Sequence, residues 1–418
     1  MSIAEQIEII AHNARLASLV MAQLQSCVKN DMLLKMAGAL EQGSAGLITE
    51  NAKDLEAGRQ KGLSSAMQDR LMLDGTRIRG IADAMREVAA LPDPVGEITG
   101  MKKRPNGLMV GKMRIPLGTI GIIYESRPNV TADAAALCLK AGNAVVLRGG
   151  SEAINSNRAI ASILQGVLVE MSIPPAALSL IPFPEREGVL EMLKQEESID
   201  LIIPRGGESL IRFVVENSRI PVIKHYKGVC HIFVDEGADF DAAERIIVNS
   251  KVQRPGVCNA LETLLIHKDA AAAFIPRIAA TLTSLGVELR GDEEFRGYAP
   301  TAGAATEEDW HAEYLELILA CRVVDDLDAA IDHINRYCSL HTESIITRDY
   351  GRAQRFIREV NSSCVLVNAS TRFSDGGQLG LGAEIGISTT KLHSFGPMGL
   401  EDLTTTKFIV YGDGQVRE

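Results

Sequence analysis

Short apolar runs rich in β-branched residues alternate with helix-like segments from residue 119 onward, and this alternation constrains the fold more than any other feature. The runs are TIGIIY (119–124), AVVL (144–147) and LII (201–203), with helix-like segments over 131–141 and 151–171. Uninterrupted apolar runs of this length are typical of parallel strands that are buried on both faces. The sequence therefore predicts an α/β fold with an open, Rossmann-like sheet.

A second α/β block follows the first. Its predicted strands are 229–234, 261–267, 318–324 and 344–347, and its predicted helices are 239–251, 269–285, 326–337 and 349–360. The stretch 286–314 is polar and rich in glycine, which predicts loops. Residues 405–412 form a late strand far from this block, so we expect it to pair either with a hairpin near 101–115 or with another subunit.

Helices are predicted before the first sheet. Apolar residues recur at helical spacing through 3–91. Pro92 and Pro94 end the pattern, because proline disfavours helix at its own position and at the position before it. Further on, LMVGKMRI (108–115) indicates an extended strand with a turn at its glycine.

Bulk properties narrow the functional classes. A chain of 418 residues is long enough for two or three domains. Its net charge of −11 argues against nucleic acid or an anionic membrane as the main partner, because binding a phosphate backbone needs a basic excess. No stretch approaches the ~18 apolar residues of a membrane span, and the first residues do not resemble a secretory signal.

The cysteines indicate a reducing compartment. Seven of them are scattered along the chain without a CxxC pair, which fits a reducing environment better than a disulfide framework. His225, His231 and His267 are dispersed, so no metal site is expected. These features favour the cytoplasm.

Cys258 is the first candidate for chemistry. It stands in QRPGVCNA (253–260), where Pro255 and Gly256 break the preceding helix and predict a loop before the next strand. Lys251 and Arg254 lie close in sequence and would favour the thiolate, the natural nucleophile for an activated acyl group. The alternative is a cysteine that only fills space in the core, and the local sequence does not decide between the two.

Two glycine pairs follow predicted strands and are candidates for cofactor binding. Gly206 and Gly207 open a helix, so their N–H groups could face a pyrophosphate, although a lone pair is more typical of an ordinary tight turn. Arg148 precedes the other pair, in LRGGSE (147–152), and either contacts a cofactor phosphate or caps the sheet edge in solvent. Two such turns after successive strands favour a dinucleotide site.

Two further loops carry polar groups. Asn129 lies in YESRPNV (124–130), where its amide would either donate to a developing oxyanion or serve as a turn residue after proline, and the local pattern favours the turn. The segment 368–384 has short polar residues and glycines, which suit a substrate loop or a long turn.

Taken together, six segments resemble the γ-glutamyl phosphate reductases (glutamate-5-semialdehyde dehydrogenases), a family of the aldehyde dehydrogenase superfamily. The segments are YESRPNVT (124–131), LIIPRGG (201–207), GVCH (228–231), QRPGVC (253–258), VNASTRF (367–373) and GPMGLE (396–401). The likeness covers essentially the whole chain, and several of these motifs are long and unusual.

The resemblance implies an aldehyde dehydrogenase-like fold in three parts. They are N-terminal helices with an NADP-binding domain (1–227, arm hairpin near 101–115), a catalytic domain with Cys258 (228–385), and a C-terminal return with an oligomerisation strand (386–418). It implies that NADPH reduces glutamyl 5-phosphate to glutamate 5-semialdehyde with release of phosphate, in proline biosynthesis. A homo-oligomer is expected, and glutamate 5-kinase is a candidate partner.

The resemblance also implies roles for single residues. Cys258 matches the nucleophile, Asn129 the oxyanion donor, and Gly206 with Gly207 the pyrophosphate turn. Arg148 stands near the adenosine ribose, Glu313 at the nicotinamide ribose, and Ser151 where a glutamate is replaced to admit a 2′-phosphate. Candidates for holding the phosphate are Arg127, Lys251 and Arg254, and Arg372 is a candidate for the α-carboxylate or a surface residue.

The sequence departs from the superfamily at the residue that activates the hydrolytic water. Oxidising aldehyde dehydrogenases have a glutamate that activates the hydrolytic water, and His225 stands at that position here. Without the carboxylate a thioester would await phosphate or hydride, unless His225 itself acts as the base. Two alternatives therefore stay open: a water-dependent aldehyde dehydrogenase on the same fold, and a non-catalytic binding protein.

Overall fold

Five helices precede the first strand, as the periodicity of residues 3–91 predicts. The structure is a computed structural model that describes residues 1–417, apart from the side chain of Ala66. Its helices are α1 (Ile3–Met21), α2 (Ser26–Gln42), α3 (Ser44–Gln60), α4 (Ser65–Leu71), α5 (Gly75–Ala90), α6 (Asn129–Lys140), α7 (Ile154–Glu170), α8 (Arg186–Met192), α9 (Glu208–Asn217), α10 (Phe240–Val252), α11 (Lys268–Ser284), α12 (Glu293–Tyr298), α13 (Glu307–Trp310), α14 (Leu327–Tyr337) and α15 (Tyr350–Glu359).

Sixteen strands form four sheets within residues 1–417. They are β1 (Ile98–Lys103), β2 (Met109–Pro116), β3 (Thr119–Tyr124), β4 (Ala144–Gly149), β5 (Leu178–Leu180), β6 (Leu201–Arg205), β7 (Cys230–Val234), β8 (Leu261–His267), β9 (Glu288–Gly291), β10 (Gly303–Ala304), β11 (Ile318–Val324), β12 (Thr342–Ile346), β13 (Cys364–Val367), β14 (Ile387–Ser388), β15 (Gly396–Pro397) and β16 (Thr404–Tyr411). The order is β5-β4-β3-β6 in one parallel sheet and β10-β9-β11-β8-β7-β12-β13 in the other.

The chain divides into two units. The first comprises residues 1–224, 381–386 and 398–418, and the second comprises 225–380 and 387–397. The predicted C-terminal region 386–418 is therefore split, because 387–397 belongs to the second unit and 398–418 to the first. None of the helices within residues 1–417 combines the length and the apolar character that a membrane crossing requires.

The apolar runs of the first unit are strands because both faces of the sheet are covered. On β3, Ile122 packs into the cluster that contains α2, α5 and α6, whereas Ile123 packs into the cluster on the opposite face with α1 and α8. Successive side chains of a strand point to opposite faces, so every position here meets apolar partners. The α/β prediction is confirmed for both parallel sheets.

The late strand pairs with the N-terminal hairpin. Strand β16 lies antiparallel to β2, with Tyr411 opposite Met109 and Thr404 opposite Pro116. This confirms the hairpin near 101–115, which is the first of the two partners expected for the late strand. The turn predicted at Gly111 is wrong, because Gly111 lies inside β2, and the hairpin turns at 104–108 with Gly107 at φ +91°.

The prediction of loops over 286–314 is also wrong. This stretch contains β9, α12, β10 and α13. Strand β9 lies between β10 and β11 in the large sheet and pairs with β11 in parallel register, from Glu288 opposite Ile318 to Gly291 opposite Cys321. Tertiary pairing thus overrides the weak strand propensity of a short charged segment.

Candidate active site

Cys258 lies on a turn between α10 and β8, as its Pro-Gly neighbourhood predicts. Its side chain is partly exposed, whereas the neighbouring Asn259 is buried. The thiol of Cys230 donates to the backbone oxygen of Cys258 at 3.2 Å, and the amide of Asn259 donates to the Ser374 carbonyl at 2.9 Å. The turn is therefore fixed from both sides while Cys258 stays partly exposed.

Gly228 packs directly against the backbone of this turn. A Cβ at residue 228 would lie 1.9 Å from the Cys258 oxygen and 2.6 Å from its carbonyl carbon, which no side chain can satisfy. The N–H of Gly228 donates to Glu313 Oε1 at 2.8 Å. Glu313 thus lies beside the segment that supports the thiol turn, and glycine at 228 is required by close approach of two backbones.

Arg372 is the cation that the structure places at the thiol turn. Its Nε donates to Gln253 Oε1 at 2.9 Å, and its Nη1 donates to Asn259 Oδ1, so the guanidinium joins the two flanks of the turn. Burial and then the charge of Arg254 lower the pKa of Arg372, while the charges of Asp375 and Cys258 raise it. Arg372 therefore places a positive charge at the thiol turn, where a cation would favour a thiolate.

Lys251 does not occupy the position predicted for it. Its side chain is fully buried, and Nζ pairs with Glu262 Oε2 at 2.6 Å on β8. Burial lowers the pKa of Lys251 and raises the pKa of Glu262 to about 7. An ammonium held in this way faces a carboxylate in the interior, so its geometry does not favour a phosphate contact.

His225 neighbours a buried histidine behind the thiol turn. The ring of His341 lies 6.0 Å from that of His225, edge on, and its Nδ1 lies 3.7 Å from the Cys230 sulfur. Burial and then the charge of His225 lower the pKa of His341 to about 3. The neutral form of His341 is therefore favoured, and no local pattern in the sequence predicts its position.

Of the remaining predicted residues, Arg254 is exposed and belongs to the second unit. The others belong to the first unit, at the carboxyl ends of its parallel strands. Gly206 and Gly207 follow β6, and Gly207 is the N-cap of α9. The N–H of Gly207 donates to Glu125 Oε2 at 3.0 Å, and a Cβ at residue 206 would lie 2.5 Å from the same oxygen. A carboxylate oxygen thus stands where a phosphate oxygen would be bound.

Arg148 and Ser151 follow β4. Arg148 is buried, and its Nη2 donates to the Pro184 carbonyl at 2.7 Å, so it is neither a solvent cap nor a group that points outward in this structure. Ser151 is exposed, and the neighbouring Glu152 turns inward to accept from Ser126 N at 2.7 Å and from Ser126 Oγ at 2.5 Å. Burial would raise the pKa of Glu152, but these hydrogen bonds outweigh it and the pKa is lowered.

Asn129 begins α6, and its amide contacts a carboxylate one turn further on. Nδ2 of Asn129 donates to Asp133 Oδ2 at 2.8 Å. A primary amide has two N–H donors, so one remains for another acceptor. Arg127, two residues earlier, is exposed.

One cluster of potential metal ligands escaped the sequence patterns. Asp235, Glu236 and His267 place ligand atoms within 4.8 Å of one another. Arg352 forms ion pairs with both carboxylates, at 2.9 Å to Asp235 Oδ1. The arginine already compensates the charge of this cluster.

Comparison with known proteins settles the family. The aldehyde dehydrogenase family model matches residues 2–308. The γ-glutamyl phosphate reductase of Geobacter metallireducens is 77% identical over 418 residues, and that of Geotalea daltonii is 76% identical over 418 residues, each over the full length of both chains. The chain belongs to the γ-glutamyl phosphate reductases of the aldehyde dehydrogenase family.

Solved structures agree with this assignment. The crystal structure of the γ-glutamyl phosphate reductase from Thermotoga maritima superimposes with a TM-score of 0.97 at 46% identity, covering 99% of this chain and 100% of that one. An acetylating aldehyde dehydrogenase from Geobacillus thermoglucosidasius, 16% identical, shares the fold with a TM-score of 0.72, covering 100% of this chain and 98% of that one. The predicted family and fold class are thus confirmed.

Proposed function

We propose that the chain reduces L-glutamyl 5-phosphate to L-glutamate 5-semialdehyde with release of phosphate, using NADPH, as a step of proline biosynthesis. The observation that carries this proposal is the thiol turn: Cys258 is partly exposed, and Arg372 joins the two flanks of its loop. The names of the full-length relatives supply the substrate.

The first step forms a thioester on Cys258. The thiolate attacks the acyl carbon, a sulfur–carbon bond forms, and the carbon–oxygen bond to phosphate breaks with its electron pair on the phosphate. The amide of Asn129 and the N–H of Cys258 donate to the oxyanion of the tetrahedral intermediate. The bond from Asn129 to Asp133 fixes one amide hydrogen and leaves the other for this role.

Arg254 and Arg372 are the best candidates for holding the leaving phosphate. The charge of Arg254 lowers the pKa of Arg372, so the two guanidinium groups repel each other. A phosphate between them would remove this repulsion and accept several charge-assisted hydrogen bonds. Arg127 remains a further candidate on the first unit, whereas the buried Lys251 does not.

The residues of the first unit fit a nicotinamide dinucleotide. The Gly207 N–H at the start of α9 already has an anionic acceptor, Glu125, in the position of a phosphate oxygen. Gly206 and Gly207 would hold the pyrophosphate, and Ser151 would face the adenosine ribose. Arg148 would reach this ribose only by releasing the Pro184 carbonyl. On the second unit, Glu313 would bind the nicotinamide ribose. The inward turn of Glu152 leaves Ser151 as the outward group, which suits a 2′-phosphate.

When bound, NADPH supplies the hydride that the thioester carbon receives. The resulting thiohemiacetal on Cys258 collapses, the sulfur–carbon bond breaks, and the thiolate returns as the aldehyde leaves. Because His225 stands where oxidising relatives have a glutamate, water is poorly activated and the thioester survives until hydride or phosphate reaches it.

We also propose that the chain forms a homo-oligomer through β16. This strand is an edge of its three-stranded sheet and exposes Phe408, Val410 and Tyr411. An open edge with apolar side chains is a template for pairing with another chain. The acyl phosphate must come from a kinase acting on glutamate, and we expect both enzymes in the cytoplasm, where thiols stay reduced.

Phosphate dependence tests the proposed function. In the reverse direction, oxidation of glutamate 5-semialdehyde with NADP⁺ should require inorganic phosphate or arsenate. Turnover that is independent of both would favour a water-dependent aldehyde dehydrogenase. Binding of NADPH without turnover in either direction would favour a non-catalytic binding protein.

A further inference from the structure

The segment that carries Glu313 has no regular secondary structure of its own. Residues 312–315 lie between α13 and β11 and belong to neither a helix nor a strand. Leu315 has a φ of +55°, in the left-handed region that a leucine rarely adopts, and its side chain is exposed. Because an exposed side chain gains little from burial, contacts of the neighbouring groups must hold the segment in this conformation.

Glu262 holds the backbone of this segment. The Leu315 N–H donates to Glu262 Oε1 at 3.2 Å, and Lys251 Nζ donates to Glu262 Oε2 at 2.6 Å. The side chains of Glu262 and Lys251 are both fully buried. One oxygen of the carboxylate thus meets the ammonium and the other meets the strained backbone, so Lys251 fixes the orientation in which Glu262 accepts from Leu315.

Tyr314 holds the same segment through its side chain. Its ring centroid lies 5.8 Å from Lys251 Nζ and 5.3 Å from Arg290 Cζ, distances that are typical of cation–π contacts. Its hydroxyl donates to Asp309 Oδ1 at 2.6 Å, and Arg290 Nη1 donates to the same oxygen at 2.9 Å. Tyr314, directly before Leu315, is therefore held at its ring and at its hydroxyl.

Glu313 lies next to these two fixed residues and beside the thiol turn. Its Oε1 accepts from the Gly228 N–H at 2.8 Å, and Gly228 packs against the backbone of Cys258. Lys251 lies on α10, before the thiol turn, and Glu262 lies on β8, after it. The groups that hold the Glu313 segment thus come from both elements that flank the turn.

The core itself does not require this buried ion pair. Removing two charges from water costs about as much free energy as their attraction returns, and apolar side chains of similar volume often serve a core equally well. Apolar side chains, however, cannot accept a hydrogen bond from the Leu315 N–H. The contact that only the polar pair provides is therefore the one that holds the Glu313 segment.

We propose that Glu262, oriented by Lys251, is a positioning residue that sets the place of Glu313 at the nicotinamide ribose. This inference rests on the proposed function, in which Glu313 binds that ribose. A shift of Glu313 would displace the ribose and with it the ring that carries the hydride, and a small misplacement of reacting groups lowers the rate strongly.

Two double variants separate the hydrogen bond from the charges. Lys251→Met/Glu262→Gln keeps an acceptor for the Leu315 N–H, whereas Lys251→Met/Glu262→Leu does not. We expect the second to bind NADPH about 3- to 10-fold more weakly than the first, the effect of one lost hydrogen bond, in calorimetric titrations. Binding of 2′,5′-ADP, which lacks the nicotinamide ribose, should be the same in both. Equal NADPH affinities, or equal losses for both ligands, would overturn the proposal.

A Glu313→Ala background tests whether Glu262 acts through Glu313. Without that carboxylate nothing is left to position, so the two double variants should bind NADPH with the same affinity. A difference that persists in this background would mean that Glu262 acts on the cofactor by another route, and would contradict the proposal.

Tyr314→Leu tests the second contact and leaves the buried pair intact. Losing the cation–π contacts should weaken NADPH binding about 2- to 5-fold and leave 2′,5′-ADP binding unchanged. Tyr298→Leu is the matched control, because Tyr298 is exposed at the end of α12. Indistinguishable Tyr314 and Tyr298 variants would contradict the positioning of Glu313 by this segment.

Amide hydrogen exchange in the cofactor-free protein gives a readout that does not depend on the reaction. Exchange in peptides covering 311–317, followed by mass spectrometry, should be faster in Lys251→Met/Glu262→Leu than in Lys251→Met/Glu262→Gln, because the Leu315 N–H loses its acceptor. Peptides of α7 should exchange equally in both. Equal exchange over 311–317 would contradict the role of Glu262.

These outcomes separate two kinds of failure. If wild-type protein shows no phosphate-dependent oxidation of glutamate 5-semialdehyde, the proposed function fails. If wild-type protein is active but the variants do not discriminate between NADPH and 2′,5′-ADP, only the assignment of Glu262 fails.

Discussion

The two parallel sheets keep their charged side chains in different places. In the four-stranded sheet the strand interiors are apolar, and Arg148 and Arg205 lie at the carboxyl ends. In the seven-stranded sheet, His231 on β7, Glu262 on β8 and Glu343 on β12 are fully buried within strands. The first arrangement leaves the Gly207 N–H at the end of a strand, where the exposed Glu125 accepts its hydrogen bond. The second buries charged groups in pairs, His231 with Glu343 and Lys251 with Glu262.

The largest effect should come from removing the sulfur. Cys258→Ala is expected to lower turnover by about 10⁴-fold or more, because the covalent step has no substitute. NADPH affinity, measured by fluorescence titration, should be unchanged, since the proposed pyrophosphate and adenosine contacts lie in the first unit. Cys27→Ala is the control, because Cys27 is exposed on α2. Substantial reductase activity in the Cys258→Ala variant would contradict the proposal that Cys258 carries the covalent step while the first unit binds the pyrophosphate and adenosine of the cofactor.

The buried pair of the second sheet should dominate its stability. Lys251→Met leaves Glu262 without its cation and should lower the free energy of unfolding by about 3–5 kcal/mol, measured by urea denaturation. Lys268→Met breaks an exposed pair with Asp325 and should change stability little. The double variant Lys251→Met/Glu262→Leu should recover most of the loss, and failure to do so would mean that the charges are not the cause.

The sign of the pH dependence follows from the same pair. Without Lys251, burial keeps the pKa of Glu262 above its ordinary value, so the neutral form is favoured in the folded state. The free energy of unfolding that the Lys251→Met variant loses relative to wild type should therefore be smaller at pH 5 than at pH 8. Denaturation curves at the two values check this, and a variant that weakens further on acidification would contradict it.

Gly228→Ala should disturb the thiol turn itself. The added Cβ would overlap the Cys258 carbonyl, so the turn must shift, and a displacement of about 1 Å can lower kcat/KM about 10²-fold. The rate of Cys258 alkylation by iodoacetamide should change in parallel. Gly237→Ala is the control, because a Cβ there meets nothing within 4 Å, and it should leave kcat/KM and the alkylation rate unchanged. An active Gly228 variant would show that the turn tolerates movement.

The smallest effect is expected at the edge of the first sheet. Glu125→Gln removes the negative charge that occupies the Gly207 N–H. NADPH should then bind roughly two- to fivefold tighter, because an anion at a helix N-terminus no longer competes with the cofactor. Glu216→Gln, on the exposed side of α9, is the control. Weaker binding in the Glu125 variant would indicate that Glu125 itself contacts the cofactor.

The same contrast explains what could be predicted from the sequence. Strands such as β3 and β8 are recognisable because burial on both faces imposes an unbroken apolar run. Strand β9 is not, because its four residues include Glu288 and Arg290 and it forms through its pairing with β10 and β11. Local signals also place Cys258 in a loop, since proline and glycine act on their neighbours.

Side-chain contacts between residues that are distant in sequence are not visible in local sequence patterns. Lys251 was expected at a phosphate because it lies near Cys258 in sequence, yet its helix turns it inward to Glu262. Arg372 reaches the thiol turn from 113 residues beyond Asn259. Such pairings depend on the folded topology, which periodicity and turn chemistry do not encode.

Mass spectrometry of a reaction without phosphate tests most directly whether a thioester forms on Cys258. Protein mixed with glutamate 5-semialdehyde and NADP⁺, without phosphate or arsenate, is quenched in acid and digested. We expect a stoichiometric burst of NADPH that then stops, with a glutamyl group on the peptide containing Cys258 that disappears when phosphate is added. Continuous NADPH formation without phosphate, or an unmodified Cys258 after the burst, would contradict it.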